Sequence, residues 1–265
     1  MRLGGRNAVI YGGSGAIGSA VAKAMAREGA RVFLAGRTVA RLERTASEIA
    51  TDGGRALAVP VDARDEWAVE AHAEAIADSA GGIDVAVNAI GIPHVQGKPI
   101  AELTLAEFEL PLHAYLRSVF LTSKAVARSM AARGGGAILT LSTPGSRMSG
   151  AGFLGYGTTC GAIETFTRVL AGELGPHGIR AVCLRADAIP EALEVSHARE
   201  VFRGFADRAG TTVEALLAER ARGGTLLGRF PTLDQIGRTA AFLASDDAGA
   251  ITGAVINATC GSVVD

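Results

Sequence analysis

The chain is short of the features that would settle its class at once. Three cysteines, Cys160, Cys183 and Cys260, are an odd number without CxxC spacing, so neither a disulfide framework nor a zinc site is expected. The formal net charge is −1 with both signs mixed, which gives no electrostatic case for nucleic acid or an anionic membrane. No apolar run is long enough to cross a bilayer, and the start of the chain lacks an apolar segment followed by a small-residue cleavage site. A cytoplasmic protein is therefore expected. Aromatic residues make up only 5%, and the single tryptophan, Trp67, is expected to pack a helix. Glycine is plentiful, at 35, and 48% of the 265 residues are hydrophobic. That suffices for a large core, and one domain over residues 1–265 is expected.

The opening organises the rest. Ala8-Val9-Ile10 is a short apolar run, as in a central parallel strand, and from Ile17 onward apolar residues recur at helical spacing (Val21, Ala24, Met25). Between them lies Gly12-Gly13-Ser14-Gly15-Ala16-Ile17-Gly18, in which Gly13, Gly15 and Gly18 fit a dinucleotide fingerprint in strand-to-helix context. Glycines let the backbone approach a pyrophosphate, and the free N–H groups of a helix N-terminus stabilise it.

A second strand, Ala30–Ala35, leads to Gly36-Arg37-Thr38, where such a site meets the adenosine ribose. An acidic residue there would bind a ribose 2′-hydroxyl, whereas Gly36 leaves room and Arg37 offers a cation to a 2′-phosphate. NADP(H) is therefore favoured over NAD(H). Strands are expected at 56–61, 83–87, 137–141, 179–184 and 254–257, with helices between them. The third strand leads to Asp62-Ala63, placed to read an adenine edge, and the fourth to Asn88-Ala89-Ile90-Gly91. One long or broken helix is expected over 103–130, with Pro111 interrupting or restarting it, and the charged stretch 190–228 is expected to cover a substrate as a lid. The fold class is a doubly wound α/β parallel sheet, a Rossmann fold with helices on both faces.

Strand order, length and motifs together resemble the short-chain dehydrogenase/reductase family across essentially the whole chain. Residues 11–18 resemble its TGxxxGxG loop, Asp62 its adenine-contacting aspartate, and Asn88-Ala89-Ile90-Gly91 its NNAG turn. The resemblance implies a homotetramer or homodimer that transfers hydride between NAD(P) and a small-molecule carbonyl or alcohol, without metal. It carries cofactor binding over to Gly12, Ser14, Gly15, Ile17, Gly18, Arg37, Thr38, Asp62, Ala63, Asn88, Ala89, Gly91, Tyr156 and Ile189.

The family's catalytic tetrad of Asn, Ser, Tyr and Lys is matched only in part. Tyr156 stands at the tyrosine, but Cys160 replaces the lysine four residues on, and Tyr115 falls where the asparagine belongs. For the serine, Thr143 has the usual spacing to Tyr156 and Ser142 lies one residue earlier, so both stay open. Ala186-Asp187 replaces Pro-Gly, and Tyr11 and Ala16 replace Thr and Gly in the cofactor loop. In the family the lysine holds the nicotinamide ribose and lowers the tyrosine's pKa. Cys160 supplies no cation, and Lys23, Lys98 and Lys124 do not align with its place. Reduction, which needs a protonated tyrosine, is then favoured over oxidation. Tyr115 is expected to act as a second phenolic donor or to pack at a subunit interface. His94, His113 and His197 are given surface or packing roles. A cofactor-binding subunit without turnover and a non-redox lyase or dehydratase on the same scaffold remain alternatives.

Overall fold

A computed structural model describes residues 1–265. Seven strands form one parallel sheet: β1 Asn7–Tyr11, β2 Arg31–Gly36, β3 Arg55–Pro60, β4 Val85–Asn88, β5 Gly136–Ser142, β6 Ile179–Ala186 and β7 Val255–Ala258. Their order, β3-β2-β1-β4-β5-β6-β7, reverses direction beside β1. The crevice between β1 and β4 is thus the topological switch point, where this architecture binds ligands. The helices are α1 Ala16–Arg27, α2 Val39–Thr51, α3 Glu66–Ala80, α4 Leu105–Pro111, α5 Arg117–Ala132, α6 Leu154–Leu174, α7 Ala198–Arg208, α8 Val213–Gly224 and α9 Leu233–Ala244.

Strand β1 shows why both faces are covered. All five of its residues are buried, and alternate side chains point to opposite faces. Ala8 and Ile10 join a core built with Val21 and Met25 of α1 and Ile236 and Leu243 of α9. Val9 and Tyr11 join a second core with Val69 and Ile76 of α3 and Val126 and Met130 of α5. Each large aliphatic side chain so buried stabilises the fold by about 1.5–3 kcal/mol relative to exposure. Tyr11, where the family has a short threonine, spends its bulk in this second core, its ring 5.6 Å from that of His72.

The long middle helix is interrupted at Pro111, as expected: α4 ends there and passes through a turn of π-helix, Leu112–Leu116, into α5. Pro111 is the last residue of α4, and Tyr115 lies inside the π bulge that follows, a feature common at functional sites. Trp67 does not pack the helix: it is 83% exposed near the start of α3. Residues 190–228 form a 3-10 turn, Pro190–Leu193, followed by α7 and α8. Their apolar side chains Leu193, Ala206, Val213 and Leu217 make a small separate core with Ala188 and Phe230.

Behind the end of β5 lies a buried ion pair. Arg185 of β6, 1% exposed, donates Nε to Oε1 of Glu164 at 2.8 Å and Nη2 to Oε2 at 3.0 Å. Its Nη1 donates to Asp265 at 2.6 Å. The same Oε1 accepts the hydroxyls of Ser142 at 2.5 Å and Ser146 at 2.6 Å. Removing one partner strands the other charge in a dry interior. Arg185→Met is expected to destabilise the chain by about 3–5 kcal/mol in urea unfolding, and the double variant Arg185→Met/Glu164→Leu by much less.

Candidate active site

Parallel strands in register bring their carboxyl ends to one edge of the sheet. Tyr11 pairs with Ala35 on one side and Asn88 on the other, so the segments beyond β1, β2 and β4 emerge together. Gly12, with φ of +84°, makes the turn out of β1. A Cβ on Gly12 would stand 2.5 Å from the Ala89 carbonyl oxygen, and one on Gly18 would run into the Gly12 carbonyl. Only glycine fits either place. Helix α1 then begins without a side-chain cap on its N-cap Gly15 and without an acidic residue in its first turn. Its leading N–H groups, at Ala16, Ile17 and Gly18, stay available to an anion.

The adenosine end has the same open character. Ser14 Oγ lies 3.8 Å from where a Gly36 Cβ would be, which joins the glycine turn to the end of β2. Arg37 and Thr38 are exposed there, and the Thr38 hydroxyl does not cap α2. Asp62 is partly taken up: Arg64 holds it with Nη2 at 3.1 Å and Nε at 3.2 Å, and keeps its carboxyl below the ordinary range. Ala63 is buried beside it. Asn88 is buried and donates to Thr122 Oγ1 at 3.2 Å, while Ala89 N–H continues the ladder to Tyr11 O at 2.8 Å. Ile189, beyond β6, is buried at the start of the Pro190–Leu193 turn. Close backbone approach, an uncapped helix start and an unpaired guanidinium together fit a dinucleotide phosphate. No cluster of residues suited to a metal ion is present.

The catalytic candidates separate. Tyr156, in the first turn of α6, has the Thr143 hydroxyl and the Cys160 thiol as its polar neighbours. Thr143 Oγ1 lies 3.3 Å from Cys160 Sγ. Ser142 is turned away to Glu164, so Thr143 alone joins the tyrosine. Burial pushes the Tyr156 phenol well above its usual value, and Cys160 and Tyr115 push the same way. Burial also raises the Cys160 thiol. Lys23, Lys98 and Lys124 are paired elsewhere, with Glu48, Glu107 and the Glu66–Glu70 pair.

The Tyr115 hydroxyl is not a free donor. It donates to the Ile92 carbonyl at 3.0 Å and accepts the Ile92 N–H at 3.0 Å, which pins the loop beyond β4. His94 of that loop, assigned to the surface or packing by sequence, is 9% exposed and stacks on Tyr156 with ring centroids 4.1 Å apart. Its Nδ1–H donates to the Ile92 carbonyl at 2.9 Å and its Nε2 accepts from Gln96 at 2.8 Å. Only the loop's closure onto α6 brings His94 here, and no motif announces it. His113 is exposed, as expected. His197, before α7, lies against Gly91.

These features fit a class: doubly wound α/β proteins that bind a dinucleotide at the carboxyl ends of the strands. The family model described as enoyl-(acyl carrier protein) reductase matches residues 13–262. The short-chain reductase protein NovJ of Streptomyces niveus is 31% identical, over 94% of this chain and 91% of its own. Bovine L-xylulose reductase is 30% identical over 97% and 96%. Among solved structures, a dehydrogenase/reductase from Sinorhizobium meliloti superposes with a TM-score of 0.84 at 28% identity, over 99% of this chain and 96% of that one. The chain belongs to the short-chain dehydrogenase/reductase family, whose members are oxidoreductases that use a nicotinamide cofactor. No helix is long and apolar enough to cross a membrane.

Burial lowers His94 from 6.5 to about 4, with His197 acting in the same direction and the Ile92 bond against it. Between these values the unfolded chain binds a proton that the folded one refuses, so stability is full above pH 6.5 and falls on acidification towards pH 4. The expected loss from this residue is on the order of 3 kcal/mol. Urea unfolding at pH 7 and pH 4.5 should show that part of the slope missing in His94→Gln.

Proposed function

We propose that this chain is an NADP(H)-dependent reductase of a carbonyl or conjugated small molecule, with Tyr156 as proton donor. The observation that carries the reading is the neutrality of the site around Tyr156. Thiol, threonine and neutral imidazole surround the phenol, and burial holds it protonated through the physiological range. A protonated phenol is an acid, as reduction requires, and oxidation of an alcohol would need it as a base. When bound, the reduced nicotinamide supplies the hydride. Tyr156 gives its proton to the carbonyl oxygen, Thr143 hydrogen-bonds that oxygen, and solvent returns a proton to Tyr156. Residues 190–228 act as the lid, anchored by Arg220 of α8 on buried Asp187 at 2.5 Å.

The choice of NADP(H) rests on Arg37. It is exposed, close enough to Asp62 to act on its charge, and without a carboxylate partner of its own. A charge-assisted contact to a 2′-phosphate contributes roughly 1.5–3 kcal/mol. Half-exposed Phe120 on α5 and exposed Val169 on α6 support assembly into a homodimer or homotetramer. A cofactor-binding subunit without turnover is the second reading, and Cys160 in the lysine's place favours it.

Fluorescence titration is expected to show tighter binding of NADPH than of NADH. Arg37→Ala should weaken NADPH about tenfold to a hundredfold and leave NADH unchanged. With a panel of ketones and enones, NADPH oxidation should depend on substrate and vanish in Tyr156→Phe. Binding without turnover on any carbonyl would favour the second reading, and conversion without cofactor would favour the lyase.

A further inference from the structure

One ionisable side chain of the lid has no part in the steps above. His197 stands at the N-cap of α7, half-buried, and its side chain caps nothing. Its imidazole lies over Gly91: a Cβ on that glycine would come 2.7 Å from Cε1 and 3.3 Å from Nε2. No group of the chain hydrogen-bonds either ring nitrogen. Histidine at a helix start is not a favoured cap, so the helix alone gives no reason for it.

The position of Gly91 gives one. The glycine turn beyond β1 offers its N–H groups to the pyrophosphate, and Arg37 beyond β2 lies on the adenosine side. The turn beyond β4, on the other side of the switch point, is left for the nicotinamide ribose. His197 reaches that turn from above. His94 lies within range of its charge and is stacked in turn on Tyr156, so the lid imidazole belongs to the same cluster as the proposed acid.

We propose that His197 contacts the cofactor, its imidazole hydrogen-bonding a hydroxyl of the nicotinamide ribose and so supplying from the lid a contact that Cys160 cannot make from α6. The inference rests on the dinucleotide reading given above. The chemistry is matched: a neutral imidazole carries one donor and one acceptor, and a ribose hydroxyl carries both. Burial favours the neutral form, against the carboxylate of Glu200 on the same helix, and His94 on the facing loop is neutral as well. No buried charge then lacks a partner. The contact also couples two events, because the imidazole reaches the ribose only with the lid down.

The test is a fluorescence titration with NADPH of the wild type, His197→Phe and His197→Gln, with the thermal unfolding of each measured without cofactor. Phenylalanine fills the space but forms no hydrogen bond, and glutamine keeps a donor and an acceptor. His197→Phe is expected to bind NADPH about threefold to tenfold more weakly, and His197→Gln within about twofold of wild type. All three should unfold at the same temperature. Binding by His197→Phe as tight as wild type would overturn the inference, and tighter binding would overturn it by showing the imidazole to stand in the cofactor's way. A wild type that binds neither NADPH nor NADH would instead remove the dinucleotide reading itself, so the two failures are distinct.

Discussion

The arrangement depends on how closely the backbone of the β1 turn approaches its neighbours. Gly12 lies against the Ala89 carbonyl and Gly18 against Gly12, with no room for a side chain at either contact. That approach draws the start of α1 down onto the strand ends and leaves its first N–H groups facing the crevice between β1 and β4. A capping side chain or a first-turn carboxylate would satisfy those groups from within the protein. Gly15 and the residues after it supply neither, so the helix start stays open to an anion. The parallel register then brings Arg37, Asp62 and Asn88 to the same edge.

Most of this scaffold was legible in the sequence because its signals are local. A strand, a glycine turn and an amphipathic helix are encoded in adjacent residues, and every expected strand forms with ends shifted by a residue or two. The choice between Ser142 and Thr143 was legible in principle as well. Side chains alternate along β5, and Thr140 meets Thr167 of α6. Ser142 shares that face and meets Glu164 of the same helix, so Thr143, one residue on, turns towards Tyr156. The parity of the strand decides between them, which spacing to the tyrosine does not.

What the sequence hid depends on long-range closure. The Tyr115 hydroxyl is consumed by both backbone groups of Ile92, 23 residues away, and nothing near either residue signals the pairing. His94 meets Tyr156 because that pinned loop folds back over α6, and His197 meets Gly91 because α7 packs down on the same loop, where the Gln96 carbonyl lies against Gly204. Trp67 shows the converse. Its place in a helix suggested packing, but the apolar stripe of α3 runs through Val69, Ala73 and Ile76, and Trp67 falls outside it.

Charge has been withdrawn from around the tyrosine and gathered one helical turn away. Cys160 brings no cation to Tyr156, whereas Glu164, four residues further along α6, carries a full ion pair with Arg185. That pair is neutral overall and spends its hydrogen bonds on Ser142 and Ser146, at either end of the turn that carries Thr143. It can therefore hold the turn in place, but it offers no net positive charge to a phenolate. Ionising Tyr156 would put an anion among a thiol, a neutral imidazole and a second buried phenol, at a desolvation cost that no neighbouring cation offsets. Such a site keeps its proton until an acceptor forms beside it. In the proposed reduction, a carbonyl oxygen gaining negative charge as hydride arrives would be such an acceptor, whereas oxidation of an alcohol would need the phenol already ionised.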